Sequence, residues 1–192
     1  MKYFLKLCFI LMTVIGTSAN AEVKFGIEGG FGFADMRAQQ TAQTLANLSG
    51  STVSYTYDEA TWMGRIFADF PVVDQVNAEI GYFFTGSLDA TYTISGASAK
   101  EGYDAMGVDA ALVFKQDSLY LKAGMHQSEL NGNGSLTIGG TTYNVSETIS
   151  GSGFLAGAGF EVNEARYGLT YYSDVGGDSN SDVTFIYAGL KF

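Results

Sequence analysis

From Val23 onward, apolar side chains occupy alternate positions. Val23, Phe25, Ile27, Phe31 and Phe33 are separated by Lys24, Gly26, Glu28, Gly30 and Gly32. A period of two is the signature of a β-strand with one apolar face. The same alternation returns seven times, along Trp62–Phe70, Val76–Phe84, Met106–Phe114, Leu119–Met125, Phe154–Val162, Ala165–Tyr171 and Thr184–Phe192. The connections alternate too. Pro71 to Gln75, Lys115 to Ser118 and Asn163-Glu164 are short, whereas 35–60, 85–101, 127–150 and 174–181 are long. Short turns on one side and long loops on the other predict an all-β fold, an eight-stranded antiparallel transmembrane β-barrel with long extracellular loops and short periplasmic turns.

Two features of the loops refine this picture. Ala38, Ala42, Leu45 and Leu48 fall at helical spacing before Gly50, which predicts a short helix in the first long loop. Thr91 to Ile94, Ser135 to Ile138 and Thr141 to Val145 continue the strand alternation beyond the height that lipid requires. Gly139-Gly140 is a two-residue hairpin signal between the last two runs. The sheet is therefore expected to protrude as a ribbon, whose edge would accept a partner's strand with Tyr92, Ile138, Tyr143 and Val145 in contact.

What occupies the other face of the strands separates a membrane barrel from a soluble sandwich. That face carries Lys24, Glu28, Arg65, Asp69, Glu79, Asp109, Lys122, Glu161, Arg166 and Lys191, five bases against five acids. In a narrow closed barrel an equal count lets opposite charges pair at low dielectric. The even-numbered strands end on Phe70, Phe114, Phe160 and Phe192, which read as a periplasmic aromatic girdle, with Trp62, Tyr82, Phe84 and Tyr171 available for the upper one.

The N-terminus places Lys2 and Lys6 before the apolar run Leu7 to Ile15 and the small-residue site Ala19-Asn20-Ala21. This order predicts a signal peptide over 1–21 and one mature domain, the barrel, over 22–192. The single cysteine, Cys8, lies in that leader, so stability has to come from somewhere other than disulfides. The mature chain has eight basic and twenty acidic residues, a formal charge of −12, which argues against nucleic acid as a partner.

At its end the chain reads Phe185-Ile186-Tyr187-Ala188-Gly189-Leu190-Lys191-Phe192. This resembles the terminal strand of the small outer-membrane barrels typified by outer membrane protein X and the transmembrane domain of outer membrane protein A. The resemblance implies location in the outer membrane of a Gram-negative bacterium, contact with lipid and lipopolysaccharide, and insertion by the barrel-assembly machinery reading Ile186, Ala188, Leu190 and Phe192. By the same resemblance, Glu28 is expected to pair with Arg65, and Asp109 with Lys122. The superfamily hosts anchors, adhesins and enzymes alike, so it leaves function open.

Among the motifs, His126-Gln127-Ser128 resembles the His-x-Ser pair of lipid A deacylase barrels, with Glu129 or Glu147 as orienting acid. It departs from that family where Asn should follow Ser, and strand parity turns His126 away from lipid. Asp178-Ser179-Asn180-Ser181-Asp182, with Asp174 nearby, spaces oxygens like a calcium loop but lacks the closing glutamate. Gly29-Gly30-Phe31-Gly32 and Gly151 to Gly159 lack the Gly-Lys-Ser/Thr of a phosphate loop, and Asn144-Val145-Ser146 matches a glycosylation acceptor that bacterial export makes irrelevant. No cofactor or metal is expected. The reading is a non-enzymatic outer-membrane barrel whose loops 85–101 and 127–150 contact a host or cell surface. A lipid A-modifying enzyme and a narrow solute channel are the alternatives.

Overall fold

The computed structural model describes residues 22–34, 38–94, 97–138 and 140–192; the leader expected over 1–21 and Gly139 of the hairpin signal lie outside them. The elements in chain order are β1 (Lys24–Ala34), α1 (Ala38–Ser49), β2 (Ser54–Tyr57), β3 (Ala60–Val73), β4 (Val76–Thr85), β5 (Leu88–Ile94), β6 (Ala97–Gln116), β7 (Leu119–Ile138), β8 (Thr141–Val162), β9 (Ala165–Tyr172), a 3-10 turn (Val175–Gly177) and β10 (Val183–Lys191). Eight strands close a ring in the order β1-β3-β4-β6-β7-β8-β9-β10, with β10 paired back onto β1. Closure removes the sheet edges that lipid would leave unsatisfied. The seam extends to the last residue, where Phe192 and Phe25 exchange two backbone hydrogen bonds of 2.8 Å.

Alternation decides which side chains meet lipid. Phe25, Ile27, Phe31, Trp62, Ile66, Leu121, Phe154, Leu169, Ile186 and Leu190 are all exposed on the outer wall. So large a continuous apolar surface marks a membrane protein rather than a soluble one. Trp62 packs edge-on against Phe84 at 5.6 Å, Tyr82 lies beside Phe84, and Phe154 lies beside Tyr171, forming the upper aromatic belt. Phe114, Phe160 and Phe192 are exposed at the lower end.

The lower turn Asn163-Glu164 is as the sequence suggests, and the other two are tighter. β3 runs through Pro71 to Val73, with a register shift between those two residues, so the turn is only Asp74-Gln75. A bulge accommodates the missing proline N–H. Each two-residue turn needs one residue in left-handed conformation, supplied by Gln75, Asp117 and Asn163.

The extracellular segments are mostly strand, not loop. β7 and β8 pair without interruption from Leu119 opposite Phe160 to Ile138 opposite Thr141. The segment 85–101 holds β5 and the start of β6, and β2 pairs with β5 in turn. Ten strands therefore form among the described residues, two of them outside the ring. The helix α1 ends at Gly50, whose left-handed backbone lets its N–H reach the Ala46 carbonyl at 2.9 Å. Ala42 packs with Ala90 and Tyr92, and Leu45 joins them. Leu48 instead points to solvent, and Tyr92, expected on the exposed ribbon, is buried at 1% exposure because the helix folds back over it.

Candidate functional site

Every strand of the ring sends at least one ionic side chain into the lumen, and these form two layers. In the central layer Arg65 donates to Asp109 through Nε at 2.8 Å and Nη2 at 2.6 Å. Its Nη1 reaches Glu28 at 3.2 Å and Glu79 at 3.1 Å. Arg166 donates to Glu79 and approaches Glu28 at 3.4 Å. Lys122 lies 4.0 Å from Glu28 and makes no hydrogen bond among the described residues. It sits instead over the Tyr187 ring at 5.0 Å. Three acids thus face three bases. Glycine makes the space: a Cβ on Gly81 would stand 2.6 Å from Arg65 Nε, and one on Gly159 would stand 2.4 Å from the Tyr120 hydroxyl.

In the lower layer Asp69 accepts from Lys115 and Lys191, each at 3.0 Å, and from Asn77 at 2.6 Å. Glu161 completes it by pairing with Lys191 and, at 3.4 Å, with Lys115. Two acids face two bases.

Glu28 and Arg65 lie directly opposite each other on β1 and β3. Asp109 and Lys122 do not meet. The register sets Asp109 against His126 and Lys122 against Val113, so Asp109 takes Arg65 and the Tyr172 hydroxyl, at 3.3 Å, as partners. Lys24 is exposed, and the tenth lumen charge is Lys115, which shares the parity of Asp109. The rings of Phe67 and Tyr120 were also missed. They face inward and lie under Arg65 and Arg166 at 4.2–5.0 Å. Their parity is the signal that marks them.

Above the ionic layers the lumen turns apolar. Met63, Phe83, Leu155, Tyr172, Val175 and Phe185 form one buried cluster. His126 is fully buried in it, edge-on to Phe83 and Tyr172, with Nε2 2.7 Å from the Ser173 carbonyl. The Ser128 hydroxyl accepts the Gly176 N–H at 2.9 Å. No hydrogen bond joins His126 to Ser128 among the described residues, and Glu129 faces the outer surface. This arrangement fixes the 3-10 turn over the lumen, with His126 and Ser128 each engaged by the backbone at that turn rather than by one another. In the acidic turn Asp178 accepts from the Asn180 N–H and the Ser181 hydroxyl, while Asp182 accepts from the Asp174 N–H and the Tyr171 hydroxyl. Those carboxylates cap their own loop.

Outside the membrane the charge is one-sided. Among the described residues ten acids lie on the extracellular side against Lys100, a net −9, while the periplasmic rim carries four acids and Lys24. Several of these acids, Asp89, Glu101, Asp104 and Glu147 among them, sit on protruding strands rather than in loops. Burial, reinforced by the Glu101 carboxylate, pushes the Tyr92 and Tyr103 phenols up, so both remain hydrogen-bond donors to Glu101.

An eight-stranded ring with an apolar outer belt, a neutral ionic lumen and strands prolonged on one side is built for one environment. The fold is that of a small outer-membrane β-barrel. Among solved structures, Ail, the attachment invasion locus protein of Yersinia pestis, in complex with the heparin analogue sucrose octasulfate, aligns with a TM-score of 0.55 and 12% identity, over 89% of this chain and 99% of that one. A second crystal structure of Ail aligns at 0.54 over the same shares, also at 12% identity. The N-terminal barrel domain of Pseudomonas aeruginosa OprF gives 0.48 at 13% identity, over 90% of this chain and 100% of that one. No protein-family model and no curated protein matches the sequence. At such identities the likeness establishes the fold alone.

Proposed function

We propose that the protein is a non-enzymatic outer-membrane anchor that displays a β-ribbon for contact with other surfaces. One observation carries this reading: β8 outruns its neighbour. β9 stops at Tyr172 opposite Leu155, Ser173 still bonds Phe154, and the 3-10 turn packs against Gly151, so β8 above Gly151 pairs with β7 alone and presents a free backbone edge. Beside it Ile138, Tyr143 and Val145 are exposed, Val145 at 70%. An unpaired edge flanked by apolar side chains suits β-augmentation by a partner strand. The opposite edge of the ribbon is covered by β5 and β2, which directs docking to β8.

Ail is named for attachment and was solved with a heparin analogue, but the net −9 here opposes a sulfated glycan. A basic protein surface is the matching partner. Filling of the lumen by Arg65, Arg166, Tyr120 and the apolar cluster argues against a solute channel. The test replaces residues 133–147 with a tight turn and measures adhesion of whole cells to surfaces coated with basic matrix proteins or with heparin. Loss of adhesion to the basic surfaces, with the heat-dependent gel shift of the barrel intact, supports the reading. Unchanged adhesion to every surface refutes it.

A further inference from the structure

The extracellular mouth of the barrel encloses a cavity of about 360 Å³. That volume is within the range of small-molecule sites. Its floor is apolar, made by Leu88, Ala105, Leu130, Val175 and Val183, and rests on the dry cluster that closes the lumen. Its walls carry four carboxylates, Glu101, Asp104, Glu147 and Asp178, and no Lys, Arg or His among the described residues lines it. None of the four enters an ion pair among the described residues; every such pair lies in the lumen below.

Two observations define the ligand. No three acidic, His or Cys side chains among the described residues converge closely enough to hold a metal ion, so the negative charge is spread around the wall and suits separated positive charges. Thr61, only 8% exposed, borders the cavity, and its hydroxyl has no hydrogen-bond partner among the described residues. Its oxygen is not one of the sealed polar atoms of the described residues, so it opens on the cavity and can accept from a ligand. We propose that the vestibule binds an aliphatic diamine or polyamine. Its ammonium groups would lie against the wall carboxylates, its methylenes on the apolar floor, and one N–H would donate to Thr61 Oγ1. The net −9 on this side concentrates such cations at the mouth, and the closed lumen beneath means that they are held rather than passed through. The proposal is independent of the ribbon and its partner.

The experiment is calorimetric titration of the full mature chain, refolded into phosphocholine nanodiscs, with 1,8-diaminooctane, 1,3-diaminopropane, spermine and Mg²⁺ alone. The two diamines carry equal charge, so a site with an apolar floor should favour the longer by at least about 10-fold, the gain from burying about two of its five extra methylenes. Thr61→Val should weaken 1,8-diaminooctane by about 5-fold. Combined Glu147→Gln and Asp178→Asn should weaken spermine by about 10-fold or more. Each variant is first checked for the gel shift of the folded barrel. Equal affinity for the two diamines, or no effect of Thr61→Val, would show only a diffuse cation atmosphere of the kind Mg²⁺ also reports, and would overturn the site.

Discussion

Removing the Arg65 guanidinium should be the most damaging single change in the lumen. Arg65→Met keeps most of the volume but leaves three acids, Glu28, Glu79 and Asp109, facing only Lys122 and Arg166. Asp109 loses both hydrogen bonds to its only base and retains the Tyr172 hydroxyl at 3.3 Å. Stranding a buried charge in this way costs about 3–5 kcal/mol. Asp109→Asn alone strands less, because Arg65 still holds Glu28 and Glu79. The double variant has two acids facing two bases, so its cost should fall below the sum of the singles by about 2 kcal/mol. A cycle through Glu28 should couple more weakly, since Glu28 also serves Arg166 and Lys122. Lys122→Met, which removes the same charge but no hydrogen bond, should cost at least about 1 kcal/mol less than Arg65→Met. Urea unfolding in lipid vesicles measures each value. Trp62, the single tryptophan, faces lipid and reports the transition by fluorescence. Additivity of Arg65→Met and Asp109→Asn within about 0.5 kcal/mol would refute the layer as a coupled unit.

Deleting Phe192 removes the last two hydrogen bonds of the seam and the final aromatic of the terminal strand, so the chain should be degraded in the periplasm. Fractionation showing normal outer-membrane yield would contradict that assembly role. Protease added to intact cells should cut in the exposed stretches around 50–52 and 179–180 and leave the turns at Asp74, Asp117 and Glu164 untouched. Early cleavage at any of the three turns would invert the topology.

Side-chain parity is legible in the sequence because it depends only on the pleat. Glu28, Arg65, Asp69, Glu79, Asp109, Lys122, Glu161 and Arg166 all turn inward at positions that alternate with lipid-facing residues. Which acid meets which base is a different matter. It depends on strand stagger and on reach across the lumen, and no local pattern records these. Hence Asp109 lies beside Arg65, 44 residues away, rather than Lys122 on the next strand. Lys115 keeps the inward parity of Asp109 one step past Phe114, where the apolar alternation stops, so the apolar pattern alone leaves it in the turn. Tyr92 alternates like any exposed strand residue, and only a helix folding back from another segment buries it. β2 is only four residues long and too short to show an alternation of its own, and the alternation at Thr91–Ile94 marks only the later part of the seven-residue β5.

Segregation of charge along the barrel axis connects stability to recognition. At low dielectric a net charge is costly, so the ten lumen charges are tolerable only as layers that are each neutral. Above the membrane, water and salt screen like charges beyond about 8 Å at physiological ionic strength, and a net −9 costs little there. That surplus acts at long range on any partner, whereas the free edge of β8 acts only through backbone contact. The two contributions respond differently to salt. Capture of a basic partner should slow as ionic strength rises, because the field that steers it is screened. Once formed, pairing along β8 should persist, because hydrogen bonds between strands are not screened in that way. Adhesion that dissociates as readily at high salt as it fails to form there would therefore point to the acidic surface, and not to the ribbon edge, as the part that holds the partner.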